Sequence, residues 1–192
     1  GDFGGGGVFL ALGMLAALWE AQRSGQGQVV DASIIDGAAN LMAYVYGGLA
    51  GGAWQNRRAS NTVDGGHWRY GVYECADGRF VSVAAMMEPF LKVLLEKLGL
   101  NVSDFPEPNK RSHWSVYREK LAVIFRTKLR DEWAALFAGT DGCVVPVLDL
   151  EEAPQHPHNR ARGTFIEHGG VVQPAPAPRF SRNPSEIRRR PP

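Results

Sequence analysis

Gly71-Val72-Tyr73-Glu74-Cys75-Ala76-Asp77-Gly78-Arg79-Phe80-Val81-Ser82-Val83-Ala84 is the stretch on which the reading of the fold turns. Residues 71–75 and 79–84 are rich in β-branched and aromatic side chains, and Asp77-Gly78 between them supplies the positive φ that a tight hairpin needs. The turn sets the register of two strands. Three helical patterns follow: residues 89–98, with Leu91, Leu94, Leu95 and Leu98 on one face, then 114–125 and 131–137. Residues 144–148 read as a buried strand and 151–161 as a short helix, so the middle of the chain predicts a small α+β unit.

On the N-terminal side, residues 4–23 read as a helix closed by Ser24-Gly25-Gln26-Gly27. Its apolar run, residues 8–19, ends in Glu20, Gln22 and Arg23; it is short for a bilayer span and predicts a buried helix. Residues 28–33 form a β-rich stretch. A second helix is expected over 34–49, with Gly37, Ala38 and Ala39 allowing close packing before Gly47, Gly48, Gly51 and Gly52 break it. The opening Gly1-Asp2-Phe3 has neither an initiator Met nor a basic leader, which predicts that an N-terminal part is missing. At the other end, Pro174-Ala175-Pro176-Ala177-Pro178 and the basic tail 188–192 read as an extended return segment.

The composition narrows the function classes. With 192 residues and 44% hydrophobic residues the chain can bury a core, and 21 Lys plus Arg against 20 Asp plus Glu give a formal net charge of +1. That balance does not advertise a nucleic-acid or membrane partner, so a small-molecule partner is expected. Cys75 and Cys143 lack metal-ligand spacing and the density of a disulfide scaffold; they read as reduced thiols of a cytoplasmic protein. His156 and His158 sit in a Pro-broken polar segment without further ligands, so no metal site is expected.

Two constellations could carry chemistry. Asp2 precedes Gly4, Gly5, Gly6 and Gly7 and then an apolar helix. Glycines let a substrate approach the backbone, and the first turn of a helix offers unpaired amide donors to an anion or a developing enolate oxygen. The same pattern also fits a helix cap followed by a tight turn under a packed neighbour. The second constellation is the loop Asn61-Thr62-Val63-Asp64-Gly65-Gly66, followed by His67, Trp68 and Tyr70. It reads either as a turn-rich connection or as a substrate-facing wall. His67 has no visible partner and reads more readily as a bystander than as a base. Glu88 and Met87, before Pro89, stand at a helix start, where a carboxylate suits the dipole and capping alone accounts for it. Met86 and Met87 suit core filler or the wall of an acyl pocket.

Taken together, these segments resemble the class III CoA-transferase family (CaiB/BaiF type), and within it the alpha-methylacyl-CoA racemase branch. The matching pieces are Gly1-Asp2-Phe3-Gly4-Gly5-Gly6 before a helix ending Ala17-Leu18-Trp19-Glu20; Ser24-Gly25-Gln26-Gly27-Gln28-Val29-Val30-Asp31-Ala32; Asp64-Gly65-Gly66 with Tyr70; Tyr73-Glu74-Cys75-Ala76-Asp77-Gly78-Arg79; Asp141-Gly142-Cys143-Val144-Val145-Pro146-Val147-Leu148; and Pro176-Ala177-Pro178-Arg179-Phe180-Ser181.

The resemblance implies an α/β fold. Residues 1–33 would end a Rossmann-like large CoA-binding domain, 34–64 would be a linker helix and loop, 65–153 a small α+β domain, and 154–192 a return linker, in an interlocked homodimer. It implies racemisation of a 2-methylacyl-CoA at its α-carbon by two-base 1,1-proton transfer, with Asp2 and an upstream His on opposite faces and a second catalytic role for Glu88. Gly4, Gly5, Asp64, Gly65, Gly66, Tyr70 and Met87 would bind substrate. Coenzyme A enters as part of the acyl-CoA thioester, with no separate cofactor. In the transferases of the family an Asp at the place of Asp2 is instead the nucleophile, and a scaffold fragment without activity of its own is a third reading. One departure stands out: the family pattern Glu-Pro-x-Phe is here Glu88-Pro89-Phe90, so either Glu88 or Met87 occupies the matching place.

Overall fold

The structure is a computed structural model that describes residues 1–187 and 189. The basic tail read at 188–192 lies, Arg189 apart, outside the described residues. By internal contacts the chain forms two units, one made of Gly1–Gly71 and Ser103–Lys120 and the other of Val72–Val102 and Leu121–Pro192.

The first unit opens with a π-helical segment, Asp2–Val8, that continues as α1, Phe9–Ser24. The amides of Gly5 and Gly6 both reach the carbonyl of Gly1, at 2.7 and 3.1 Å. Four glycines without Cβ atoms permit this wide winding, where an ordinary helix was expected. Gly25 ends α1 in the left-handed region, φ 73°, as its sequence signal predicts. Asp2–Ser24 is therefore 23 residues of continuous helix, long and apolar enough, by length and composition only, to cross a membrane. The expectation of a buried helix fails within this chain: no residue of α1 is buried, and Leu12, Leu15, Leu18 and Trp19 are each more than 60% exposed.

Residues 28–33 are extended but form no strand, because no neighbouring strand pairs with them among the described residues. Ser33 caps α2, Ile34–Leu41, by accepting from the amide of Ile35 at 3.3 Å. The helix expected over 34–49 breaks at Met42 (ψ 5°) and resumes as α3, Ala43–Ala50. The π-helical turn crosses α2 at Gly5 and Gly37, so the small residues do allow close approach there. The rest of this unit is a loop-rich aromatic core. Trp68 is fully buried, stacks on Phe105 with ring centres 4.6 Å apart, and donates its indole N–H to Pro108 at 3.0 Å.

The second unit carries the hairpin. Strand β1, Tyr70–Glu74, brings the chain from the first unit, and β2, Phe80–Ala84, follows a turn in which Gly78 has φ 73° and Cys75 donates to Arg79 at 2.8 Å. Helix α4, Glu88–Lys97, buries Leu91, Leu94 and Leu95. Helix α5, Arg111–Phe125, leaves the first unit after Lys120, and α6, Arg130–Phe137, packs on β2 and β3. Strand β3, Val144–Pro146, joins β2 antiparallel with Val83 opposite Val144 and Val81 opposite Pro146. It is shorter than expected, and only Val144 in it is buried. Phe125 holds this core together, with Tyr73 at 5.1 Å and Trp133 at 5.2 Å between ring centres.

The helix expected over 151–161 divides at His156 into α7, Glu152–Gln155, and α8, Pro157–Arg162. A second hairpin follows that the sequence reading passed over: β4, Phe165–His168, and β5, Val171–Pro174, turn on Gly169 and Gly170 with φ 65° and 83°. Both turn residues have positive φ, which Gly-Gly supplies without steric cost.

Candidate functional site

Asp2 occupies the first turn of the π-helical segment and is exposed. Gly1, and not Asp2, is the helix cap, with no side-chain cap hydrogen bond, so the carboxylate is not consumed in capping. Behind it the glycines divide in role. A Cβ on Gly5 would stand 2.8 Å from the amide nitrogen of Ala38, and one on Gly6 would stand 2.9 Å from Ile34, so these two are required by packing. A Cβ on Gly4 would meet only a Leu41 methyl, at 3.6 Å, which is ordinary contact.

The loop before β1 is organised around Asp64. Its Oδ1 accepts from the amides of Asn61 (2.9 Å) and Gly66 (3.0 Å), and its Oδ2 accepts from Asn61 Nδ2 (2.8 Å) and the amide of Ser60 (3.2 Å). Burial is the largest single influence on this carboxyl and pushes its pKa up, but the four donors together outweigh it and hold the group below its ordinary value. Asn61, 1% exposed, exchanges hydrogen bonds with the backbone of Gln55, its Oδ1 accepting at 2.8 Å and its Nδ2 donating at 3.0 Å. The glycines are needed as backbone: Gly65 has φ 87°, and a Cβ on Gly66 would sit 2.5 Å from the carbonyl carbon of Ala59. Arg118 of α5 donates to the carbonyl of Gly65 at 3.0 Å and lies over Gly71, where a Cβ would approach its guanidinium to 2.5 Å. Asp64 and Arg118 thus hold the loop from its two sides.

His67 belongs to the core. It is 1% exposed, its ring centre is 4.4 Å from that of Trp114, and its Nδ1 accepts from the amide of Arg69 at 3.1 Å. Burial first, and the nearby Arg69 charge second, lower its pKa to about 4, so the ring is neutral with its proton on Nε2. Trp68 is buried beside it and presents no surface, which corrects the expectation that it helps form an apolar wall. Tyr70 is partly exposed at the start of β1. In the second unit Met87, 58% exposed, caps α4, and Glu88 opens that helix on the surface. Met86 is half-buried beside them. Cys75 and Cys143 are both free, with Cys75 buried and its thiol pushed up to about 11, chiefly by burial and then by Asp77. No cluster that would hold a metal ion occurs among the described residues.

Residues 1–192 match the description of CoA-transferase family III throughout. The chain belongs to that family. Alpha-methylacyl-CoA racemase of Mus musculus is 42% identical over 185 residues, covering 96% of this chain and 49% of the mouse protein. The Homo sapiens protein of the same name is 38% identical over 185 residues, covering 96% and 48%. A crystal structure of a CAIB/BAIF family protein from Brucella suis superposes with a TM-score of 0.72 at 20% identity, covering 98% of this chain and 50% of that one. That likeness shows the fold. The chain spans about half the length of the curated relatives it matches.

Within this CoA-transferase family III chain, the sequence reading missed the arginines that gather beside the Asp64 loop. A signal was present: Arg111, Ser115 and Arg118 stand at i, i+4 and i+7, one face of a helix.

Proposed function

We propose that this chain is part of an acyl-CoA racemase that inverts 2-methylacyl-CoA thioesters at the α-carbon. The observation that carries the reading is the 42% identity to a mouse alpha-methylacyl-CoA racemase along 96% of the chain. Its geometric support is an uncapped, exposed Asp2 on a glycine-rich π-helical turn.

Inversion by proton exchange needs a group on each face of the stereocentre, one to remove the proton and one to return it. Asp2 is the group this chain supplies, and the partner is the upstream His that the family pattern implies. Removal of the proton leaves an enolate, delocalised into the thioester carbonyl, whose oxygen is stabilised by preorganised donors such as the amides of a helix first turn. Glu88 or Met87, from a partner subunit, would stand near that His. Asp64-Gly65-Gly66 and Tyr70 would face the acyl chain.

The exposed apolar face of α1 fits the same reading. In the complete protein it would be covered by the Rossmann-like large domain and by the second subunit of an interlocked homodimer. The reaction requires no cofactor beyond the coenzyme A carried by the substrate, and a cytoplasmic location agrees with two free thiols.

The test uses the full-length protein with a branched acyl-CoA in deuterated water. A racemase places deuterium at the α-carbon without an acceptor acid, and Asp2→Asn reduces that exchange by about a hundredfold or more. Turnover only with an acceptor acid, with CoA trapped on Asp2, would assign the transferase reaction of the same family instead.

A further inference from the structure

Within the first unit, the Asp64 loop and the start of α5 border an open cavity of about 510 Å³. Arg57, Arg111 and Arg118 line it together with the hydroxyl residues Ser60, Ser112 and Ser115, and the backbone of Gly65 and Gly66 forms one wall. Among the described residues no carboxylate lines it, and the Asp64 carboxylate is taken up by the amides of its own loop. The cavity also receives the N-terminal turn of a 15-residue helix whose first turn holds no acidic side chain. The guanidinium groups of Arg57 and Arg111 and the positive end of a helix therefore border one space, an arrangement that favours an anion there. Arg111, a cation in the first turn where it opposes the helix dipole, is held there by donating to the carbonyl of Ala53 at 2.5 Å and by lying 5.6 Å from the ring centre of Trp114.

A second observation points the same way. Trp114 lines the cavity and is 6% exposed, and its indole Nε1 has no hydrogen-bond partner among the described residues. The large majority of buried donors in folded proteins are matched, and a bound ion or water is one account of an unmatched donor beside a cavity.

We propose that this cavity binds a phosphate-class anion, with Arg57 and Arg111 as its principal ligands and the serine hydroxyls as additional donors. Guanidinium forks match the tetrahedral oxygens of phosphate better than they match chloride, and the hydroxyls add directional donors. Arg118 donates to the carbonyl of Gly65 in the cavity wall itself and so shapes that wall, whereas the bond of Arg111 goes to Ala53, outside the lining residues. The anion has two possible sources, the phosphates of a CoA thioester and free phosphate.

The probe is inorganic phosphate added to the full-length protein at constant ionic strength, with chloride as reference and thermal unfolding as the readout. A saturable rise in unfolding temperature is expected, with the apparent phosphate affinity lowered about tenfold or more in Arg57→Gln/Arg111→Gln, the loss of two charge-assisted contacts. Ser115→Glu, which puts a carboxylate into the cavity without removing an arginine, should abolish the response. Saturating coenzyme A then separates the sources: displacement of phosphate makes the thioester's phosphates the occupant, and independent binding makes it free phosphate. The proposal is overturned if the wild-type protein shows no phosphate-specific rise, as when a carboxylate from elsewhere in the protein already fills the cavity. It is equally overturned if both variants respond like the wild type. Anion binding is read without turnover, so either failure leaves the racemase reading standing.

Discussion

A Cβ placed on Gly37 would lie 1.8 Å from the carbonyl oxygen of Gly5, so the π-helical turn behind Asp2 and helix α2 meet backbone to backbone. Even one methyl group cannot enter this crossing without moving a helix. The Asp2 turn is therefore positioned by a residue that takes no part in chemistry.

Gly37→Ala is expected to separate the two helices and lower the unfolding temperature by several degrees. Gly47→Ala, in α3 where a Cβ meets nothing within 4 Å, serves as the control. It should stabilise the helix by about 0.5–1 kcal/mol. Thermal unfolding of both variants decides the matter, and equal effects would mean that the crossing yields.

Asp64 accepts four hydrogen bonds inside its own loop. Asp64→Ala strands several donors and should cost about 2–4 kcal/mol of stability, at roughly 1 kcal/mol per bond. Asn61→Ala should fall in the same range, and the double variant should cost less than the sum because the two share one network. Chemical denaturation measures all three. A KM change with unaltered stability in Asp64→Ala would instead place its carboxylate on the substrate.

His67 should titrate with a midpoint near 4, seen in the NMR shifts of its ring protons. Its folded pKa lies below the unfolded value of 6.5, so the unfolded chain takes up the proton first. Stability attributable to this ring is intact above about 6.5 and declines as pH falls toward 4, by at most about 1.4 kcal/mol per pH unit. A midpoint near 6.5 would show that the ring reaches solvent.

Glu152 holds the buried guanidinium of Arg130 at 2.6 and 2.8 Å and also meets Arg79 at 3.0 Å. Those contacts, the Arg130 hydrogen bonds foremost, lower its pKa from 4.5 to about 2. The stabilisation is present above pH 4.5 and is lost as pH falls through 2. Glu152→Gln should therefore be less stable than the wild type at pH 7, with the difference closing as pH falls from 4.5 to 2. Denaturation midpoints of the two proteins across that range provide the check; a gap independent of pH would assign the loss to packing.

Local chemistry alone determined several features of this protein. Asp77-Gly78 specified the first hairpin, Ser24-Gly25 the end of α1, and the leucine spacing the buried face of α4, because each depends on residues within a few positions of one another. Gly169-Gly170 carried an equally local signal for the second hairpin. The ordered set of motifs also identified the family. What only the tertiary structure decided is who meets whom. Trp68 is interior because Phe105 stacks on it, His67 is neutral because it is buried against Trp114, and residues 28–33 are not a strand because none of the described residues pairs with them. The same holds for the arginine cavity, where Arg57, Arg111 and Arg118 line one space only once the loop has folded around Asp64. Burial, pairing and converging charge are properties of a surface and its partner, and a linear pattern names only one of the two.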